Sequence, residues 1–312
     1  MNLYKKILDK SKSIDWENKP LKNLSFSIPV AKTHPRYKKI EKYTIKFGSV
    51  SKIKFGSRDL VLADQAISDR LNIKKQRKFN LELFTTREDN TKTLNSAERI
   101  LIKYFDKKTK KVVIIGGGVL SDFGGYIAEK LNSELVLVPT TIIGMADACM
   151  GGKVRMNFVD AGRYIKHYYK SFYEPNKVII DFDFIKTLNK KQISIGMAET
   201  IKHAITQSPR LFNYLLSDSF QPFSDKESLK RAIVWTIDLK STCLKIDPEE
   251  SVAGARKIIH FAHEFTNQIE VKSMFKVSHG EALERAMPEE FKKDKLKLKQ
   301  IKALYSKLEI NI

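Results

Sequence analysis

The chain is 312 residues long and 42% hydrophobic, enough for one large or two moderate domains with a real core and too apolar for a disordered polymer. Its net charge of +21 is spread over the whole length and accompanies no RNP, zinc-finger or basic-helix motif. It reads as a solvated surface with some pull on a phosphorylated substrate, not as a nucleic-acid interface. Two cysteines outside any CxxC exclude a disulfide framework, and the longest apolar run, near 112–120, is broken by three glycines, too short for a membrane span. No apolar segment follows Lys5, Lys6, Lys10 and Lys12, and Asp9, Asp15 and Glu17 argue against a transit peptide, so a cytoplasmic, reducing location is expected.

In chain order, the first 45 residues are mixed and polar, with Pro20, Pro29 and Pro35 discouraging long helices. Strand-like stretches follow at 43–47, 59–63 (DLVLA) and 79–84 (FNLELF). Leu94, Ala97, Ile100, Leu101 and Tyr104 then recur at helical spacing. Short β-branched runs at 112–115 (VVII), 135–138 (LVLV) and 178–181 (VIID), with a helical segment between the first two, predict a parallel sheet covered on both faces. After about Lys186 the pattern turns helical, at 191–207, 209–216, 226–245, 257–270 and 293–308, with no convincing strand. This predicts an α/β domain over 1–186 and an all-helical domain over 187–312, with cofactor and substrate expected in a cleft between them.

Two local patterns bear on chemistry. Residues 115–125 (IGGGVLSDFGG) follow a strand and open a helix. Glycines there let backbone N–H groups approach a pyrophosphate at a helix N-terminus, although the spacing is not GxGxxG and a tight strand-to-helix turn would look the same. Asp64 ends a strand, where its carboxylate could accept ribose hydroxyls or cap a helix. The second pattern is His260, His263 and His279, three of the six histidines, with Glu199 on a predicted helix and Lys202 one turn further. Two neutral imidazoles and one carboxylate with an open position make a catalytic divalent-metal site; scattered polar helix residues are the alternative.

Taken together and in order, several motifs resemble the 3-dehydroquinate synthase family and its sugar phosphate cyclase relatives. They are 116–125 (GGGVLSDFGG), Pro139-Thr140-Thr141, 147–157 (DACMGGKVRMN), 172–181 (FYEPNKVIID), 196–202 (GMAETIK), 256–270 and His279-Gly280-Glu281. The resemblance implies an N-terminal Rossmann-like NAD-binding α/β domain and an all-α C-terminal metal-binding domain. By position it implies Glu199, His263 and His279 as ligands of zinc or cobalt. Asp64, Asp89, Lys92, Gly117, Gly118, Asp122, Thr140 and Thr141 fall at NAD-contacting positions. Asp147, Lys153, Lys202, Lys240, Glu250 and Arg256 fall at catalytic or substrate-binding positions. The implied partners are a phosphorylated sugar and a second copy of the chain. The implied reaction removes a hydride to NAD from a secondary alcohol, eliminates phosphate, returns the hydride and closes a carbocycle by an aldol step.

Departures from the family pattern surround the substrate positions. Where the family shows Asn-Phe-Gly-His-x-x-Gly-His, this chain reads His260-Phe261-Ala262-His263-Glu264-Phe265-Thr266-Asn267. Asparagine cannot serve as a general acid or base, so a proton-handling role at 267 is lost. His167 stands where an asparagine commonly contacts substrate, Lys130 is the nearest counterpart of a usual arginine, and the family's longer helical tail carries a further substrate lysine. These changes point to an altered substrate or lost activity and not to a different fold.

Overall fold

The computed structural model describes residues 2–71, 73, 79–85 and 91–311. The chain divides into two compact units, one formed by Ser25–Gly144 and Ala148–Asp183, the other by Met1–Leu24, Met145–Asp147 and Phe184–Ile312.

The first unit is built on a seven-stranded sheet among the described residues. Its strands are β1 (Ser25–Pro29), β2 (Lys42–Phe47), β3 (Asp59–Asp64), β4 (Asn80–Phe84), β5 (Lys111–Gly116), β6 (Glu134–Pro139) and β9 (Lys177–Ile180), in the spatial order β1-β2-β9-β6-β5-β3-β4. Only β1 and β2 run antiparallel. Leu60, Val61, Leu62 and Ala63 in β3, and Val112 to Ile115 in β5, are fully or almost fully buried. Both faces are therefore covered, and uninterrupted apolar runs were a reliable strand signal here. The chain leaves β3 for β4 on one side, while β5 lies on its other side. That reversal is a topological switch point, and the carboxyl ends of β3 and β5 flank it.

Helices α2 (Gln65–Arg70), α3 (Leu94–Tyr104) and α4 (Gly118–Lys130) connect these strands. Gly124 lets α4 lie against β5: a Cβ there would come within 1.9 Å of the Ile114 side chain. The sequence did not announce the hairpin of β7 (Lys153–Asp160) and β8 (Arg163–Phe172), whose turn places Ala161 and Gly162 at φ 44° and 79°. Its many polar and basic residues hide the alternation, and an irregularity between Met156 and Phe158 breaks the period of two.

The second unit holds α1 (Leu3–Ser11), α5 (Lys190–Gly196), α6 (Ala198–Thr206), α7 (Pro209–Leu216), α8 (Lys226–Ile246), α9 (Arg256–Ile259), α10 (His263–Lys272), α11 (His279–Glu290) and α12 (Lys295–Lys307). No helix among the described residues is long and apolar enough to cross a membrane. Three boundaries differ from expectation. The first 24 residues belong with the helices, not with the sheet. The reason is the apolar face of α1, which buries Ile7, and its Ser11 hydroxyl, which accepts from Gln207 Nε2 at 2.8 Å. The predicted helices 191–207 and 257–270 are each two helices, the second broken at Ala262, which is left-handed at φ 60°. Finally, α11 was not predicted; it is opened by a capping box of Ser278 and Glu281.

Candidate active site

In the helical unit, α6, α10 and α11 bring Glu199, His263 and His279 together, with one donor atom from each inside 4.8 Å of the others. Each imidazole is oriented through Nδ1. That of His263 bonds the Phe261 carbonyl at 3.0 Å, and that of His279 the Glu270 carboxylate at 3.2 Å. Both Nε2 atoms are left for the centre, and His279 Nε2 lies 3.5 Å from Glu199 Oε1. Glu199 is fully buried, and the Lys202 ammonium ion-pairs with its Oε2 while Oε1 faces His279. One carboxylate and two imidazoles brought within ligand distance of one another make a donor set that fits a divalent metal of the His₂Glu kind.

The electrostatics agree. Burial pushes the Glu199 carboxyl up, but the Lys202 ammonium and the two imidazoles outweigh it and hold it well below the usual range. Burial and the same ammonium push His263 down to about 3. His279 is pulled the other way: burial opposes its charge, yet Glu199 and Glu270 raise it to about 9. Without a metal, one imidazolium therefore partly neutralises Glu199.

Around this centre lies a buried ionic layer. Lys202 has no exposed side-chain surface; it ion-pairs with Glu199 and donates to the Ile259 carbonyl at 2.7 Å. Lys240, in α8, ion-pairs with Asp147 and donates to the Asp147 carbonyl at 2.8 Å. Burial and Glu199 push Asp147 up, but Lys240 and Lys202 leave it below its ordinary value. Asp147, Glu199 and His203 form a second group with ligand spacing. There, however, Lys240 already pairs with the Asp147 carboxylate and donates to its carbonyl, so the charge a cation would bring to Asp147 is in place. His203 is held neutral, at about 4, first by burial and then by Lys202, and its Nδ1 is bonded to Gln207 Oε1 at 2.7 Å.

Glu250 is buried and places Oε2 3.4 Å from His260 Nε2. The His260 ring centroid is 5.4 Å from that of His263, so the residue departing from the family pattern lies beside a ligand. Arg256 is exposed at the start of α9, and Asn267 is exposed on α10. Sequence reasoning missed Glu270 and His203. The latter is four residues after Glu199 on one helix, a spacing that could have singled it out; Glu270 carried no local signal.

In the α/β unit, Gly117 and Gly118 open α4 with no side chain capping its N-terminus. A Cβ on Gly117 would crowd Thr141 at 3.2 Å, and one on Gly118 would crowd Ala148 at 3.2 Å. Packing against Thr141 and Ala148 thus favours glycine at both positions, and the uncapped N–H groups that open α4 after β5 are of the kind that pyrophosphate binding uses. Thr140 donates its N–H to the Gly116 carbonyl at 3.0 Å, and Thr141 Oγ1 accepts from Gly144 N at 3.0 Å. Asp122 pairs with Lys92 at 3.0 Å and accepts from Arg155 N at 3.2 Å. Asp64 caps α2, accepting from Ala66 N at 3.0 Å, at the carboxyl end of β3. Lys153 begins β7, opposite Phe172, and His167 sits in the bulged part of β8 at φ 51°. Asp89 lies outside the described residues. Lys130 ends α4, just before the strand that leads to Pro139, and its Nζ donates to the Tyr169 hydroxyl at 3.0 Å.

Sequence models of the family's two halves match the chain, the one described as 3-dehydroquinate synthase N-terminal over residues 82–195 and the C-terminal one over 196–307. The 3-dehydroquinate synthase of Saccharolobus solfataricus is 30% identical over 204 residues, 64% of this chain and 56% of that protein. That of a Sulfurovum species is 33% identical over 210 residues, 65% of this chain and 57% of the relative. The aligned region thus spans little more than half the length of these curated relatives. Among solved structures, 2-epi-5-epi-valiolone synthase from Streptomyces hygroscopicus with NAD+ and Zn2+ bound superposes with a TM-score of 0.73 at 20% identity, covering 88% of this chain and 82% of that one. A 2-deoxy-scyllo-inosose synthase complexed with carbaglucose-6-phosphate, NAD+ and Co2+ gives a TM-score of 0.69 at 19% identity, covering 91% and 81%. The shared fold, the ordered motifs and the matched halves lead to one conclusion: the chain belongs to the 3-dehydroquinate synthase family of the sugar phosphate cyclase superfamily.

Proposed function

We propose that this chain is an NAD- and divalent-metal-dependent sugar phosphate cyclase of the 3-dehydroquinate synthase type. The supporting observation is the convergence of the buried Glu199 carboxylate with two imidazoles whose other nitrogens are already engaged. Glu199, His263 and His279 would hold zinc or cobalt, and the Gly117–Gly118 backbone the NAD pyrophosphate. When bound, the two groups supply a Lewis acid and a hydride acceptor for oxidising a secondary alcohol near the leaving phosphate.

The chain's own residues do the positioning. Lys202 and Lys240 keep Glu199 and Asp147 ionised, so Asp147 can accept a hydrogen bond from a substrate hydroxyl without giving up a proton itself. Lys153 and Arg256 would supply cations for the substrate's anionic groups. The family's usual product, 3-dehydroquinate, is the first candidate. The departures at His167, His260 and Asn267 make a sugar 7-phosphate such as sedoheptulose 7-phosphate its rival.

Phosphate release is to be measured over a panel of seven-carbon sugar phosphates, with and without chelator. The expected result is chelator-sensitive release from one of them with no net NADH. Chelator-insensitive release would remove the metal assignment, and net NADH would make the chain an alcohol dehydrogenase. Glu199→Gln should lose bound metal; unchanged metal content would overturn its role as a ligand. The chain is proposed to act as a homodimer, which light scattering of the purified protein checks.

A further inference from the structure

Between the end of α8 at Ile246 and the start of α9 at Arg256 the chain has no regular element, yet this stretch must deliver Glu250 to the site. It is wound around one oxygen atom. Asp247 is buried, and its Oδ2 accepts from Ser251 N at 2.9 Å, Ser251 Oγ at 2.8 Å and Ala255 N at 2.8 Å. Its carbonyl takes the Glu250 N–H at 3.1 Å, and its own N–H returns to the Cys243 carbonyl at 2.8 Å. Gly254 makes the convergence possible, because a Cβ there would lie 2.1 Å from Asp247 Oδ2.

The turn holds Glu250 in a conformation it would not choose. Glu250 is buried and left-handed at φ 49°, a state that persists for a non-glycine residue only where the surroundings over-determine it. In that state its carboxylate serves two neighbours. Its Oε2 lies 3.4 Å from His260 Nε2, and its charge adds to that of Asp147 in holding the Lys240 ammonium. Asp247 touches neither neighbour through any of these hydrogen bonds; all of them go to the turn or to α8.

We infer that Asp247 is a positioning residue of the active site, closing the 247–255 turn so that the Glu250 carboxylate stands beside His260. The inference rests on the cyclase reading for its effect on turnover, but its geometric content can be tested without turnover. An anionic acceptor bound by three donors is stronger and more directional than a neutral one, so the charge as well as the shape of Asp247 matters.

The test is a double-mutant cycle on the metal-loaded protein, with Asp247→Ala, Glu250→Gln and the double variant, and Asp247→Asn as the conservative change. Read as kcat/KM for phosphate release, Asp247→Ala should lose at least tenfold, and Asp247→Asn, which keeps an acceptor of the same shape but not the charge, should recover only part of that. The double variant should fall no more than about threefold below Glu250→Gln alone. A purely structural Asp247 would instead give losses that multiply, and that result overturns the inference. Metal content should be equal in all four proteins, because Asp247 bonds to no ligand. Amide exchange at Glu250, Ser251 and Ala255 should quicken in Asp247→Ala even in a protein without turnover; unchanged exchange overturns the inference. If the unaltered protein released no phosphate from any sugar phosphate while the exchange result held, the cyclase reading would fail and the turn geometry would stand.

Discussion

With His279 as a proposed ligand, a proton and a metal ion would compete there for one lone pair. Burial disfavours the imidazolium, but Glu199 and Glu270 raise the group to about 9, whereas His263 at about 3 is already neutral. Between pH 6 and 9, binding a divalent ion should therefore release about one proton, and apparent affinity should rise about tenfold per pH unit until it levels off near 9. Calorimetry in two buffers of different ionisation enthalpy measures that proton; a heat independent of buffer would contradict it. One residue before His263, Ala262 is buried and left-handed at φ 60°. An L-residue is strained in that region and glycine is not. Ala262→Gly should raise stability by about 0.5–1 kcal/mol despite glycine's freer unfolded chain, read as a higher midpoint in urea.

At the scale of the element, α11 both begins with the proposed ligand His279 and carries a carboxyl group into the interior. Glu284 is buried, one of its oxygens accepts no hydrogen bond, and Tyr305 of α12 bonds its carbonyl at 2.6 Å. Burial first, and then Glu281, push the Glu284 carboxyl up to about 7, against the pull of Arg285 and Lys191. The folded protein thus keeps a proton that the unfolded chain loses near 4.5. The stability contributed by this group is complete below about 4.5, declines as pH rises toward 7, and is gone above it. Glu284→Gln should flatten thermal stability between pH 5 and 8 and raise the melting temperature at pH 8; parallel pH profiles for the two proteins would rule this out.

The same helix shows where reading a sequence stops. β3, β5 and β6 were legible because both faces are buried and the apolar runs are unbroken, and α3 because its period is regular. α11 was not, because its buried face includes Gly280 and Glu284 and its last turn contains Pro288. The β7–β8 hairpin was hidden by basic residues and a bulge. In the site, residue type and spacing singled out His260, His263, His279 and Glu199, and the resemblance narrowed them to the three candidate ligands that the fold brings together. Their support by Glu270 and the Phe261 carbonyl depends on contacts that no local pattern encodes. Asp64 did what carboxylates beside helices commonly do and became a cap.

At the scale of the molecule, a net charge of +21 sets a long-range field that any phosphorylated substrate meets before it meets a particular lysine. The Debye length shrinks from about 30 Å at 0.01 M salt to about 8 Å at 0.15 M, so kcat/KM for such a substrate should fall several-fold across that range while kcat changes little. Equal losses in both constants would place the salt effect in the folded site and not in the encounter.

The discontinuous make-up of the helical unit has a consequence for how the protein is made. α1 leaves the ribosome well before Gln207 and Leu239, which complete its Ser11 network. At about 5–20 residues per second, the Ile7 face must wait roughly ten to fifty seconds for its partners. Throughout that interval the young polypeptide displays an unpaired greasy stripe flanked by lysines, a natural handle for a chaperone.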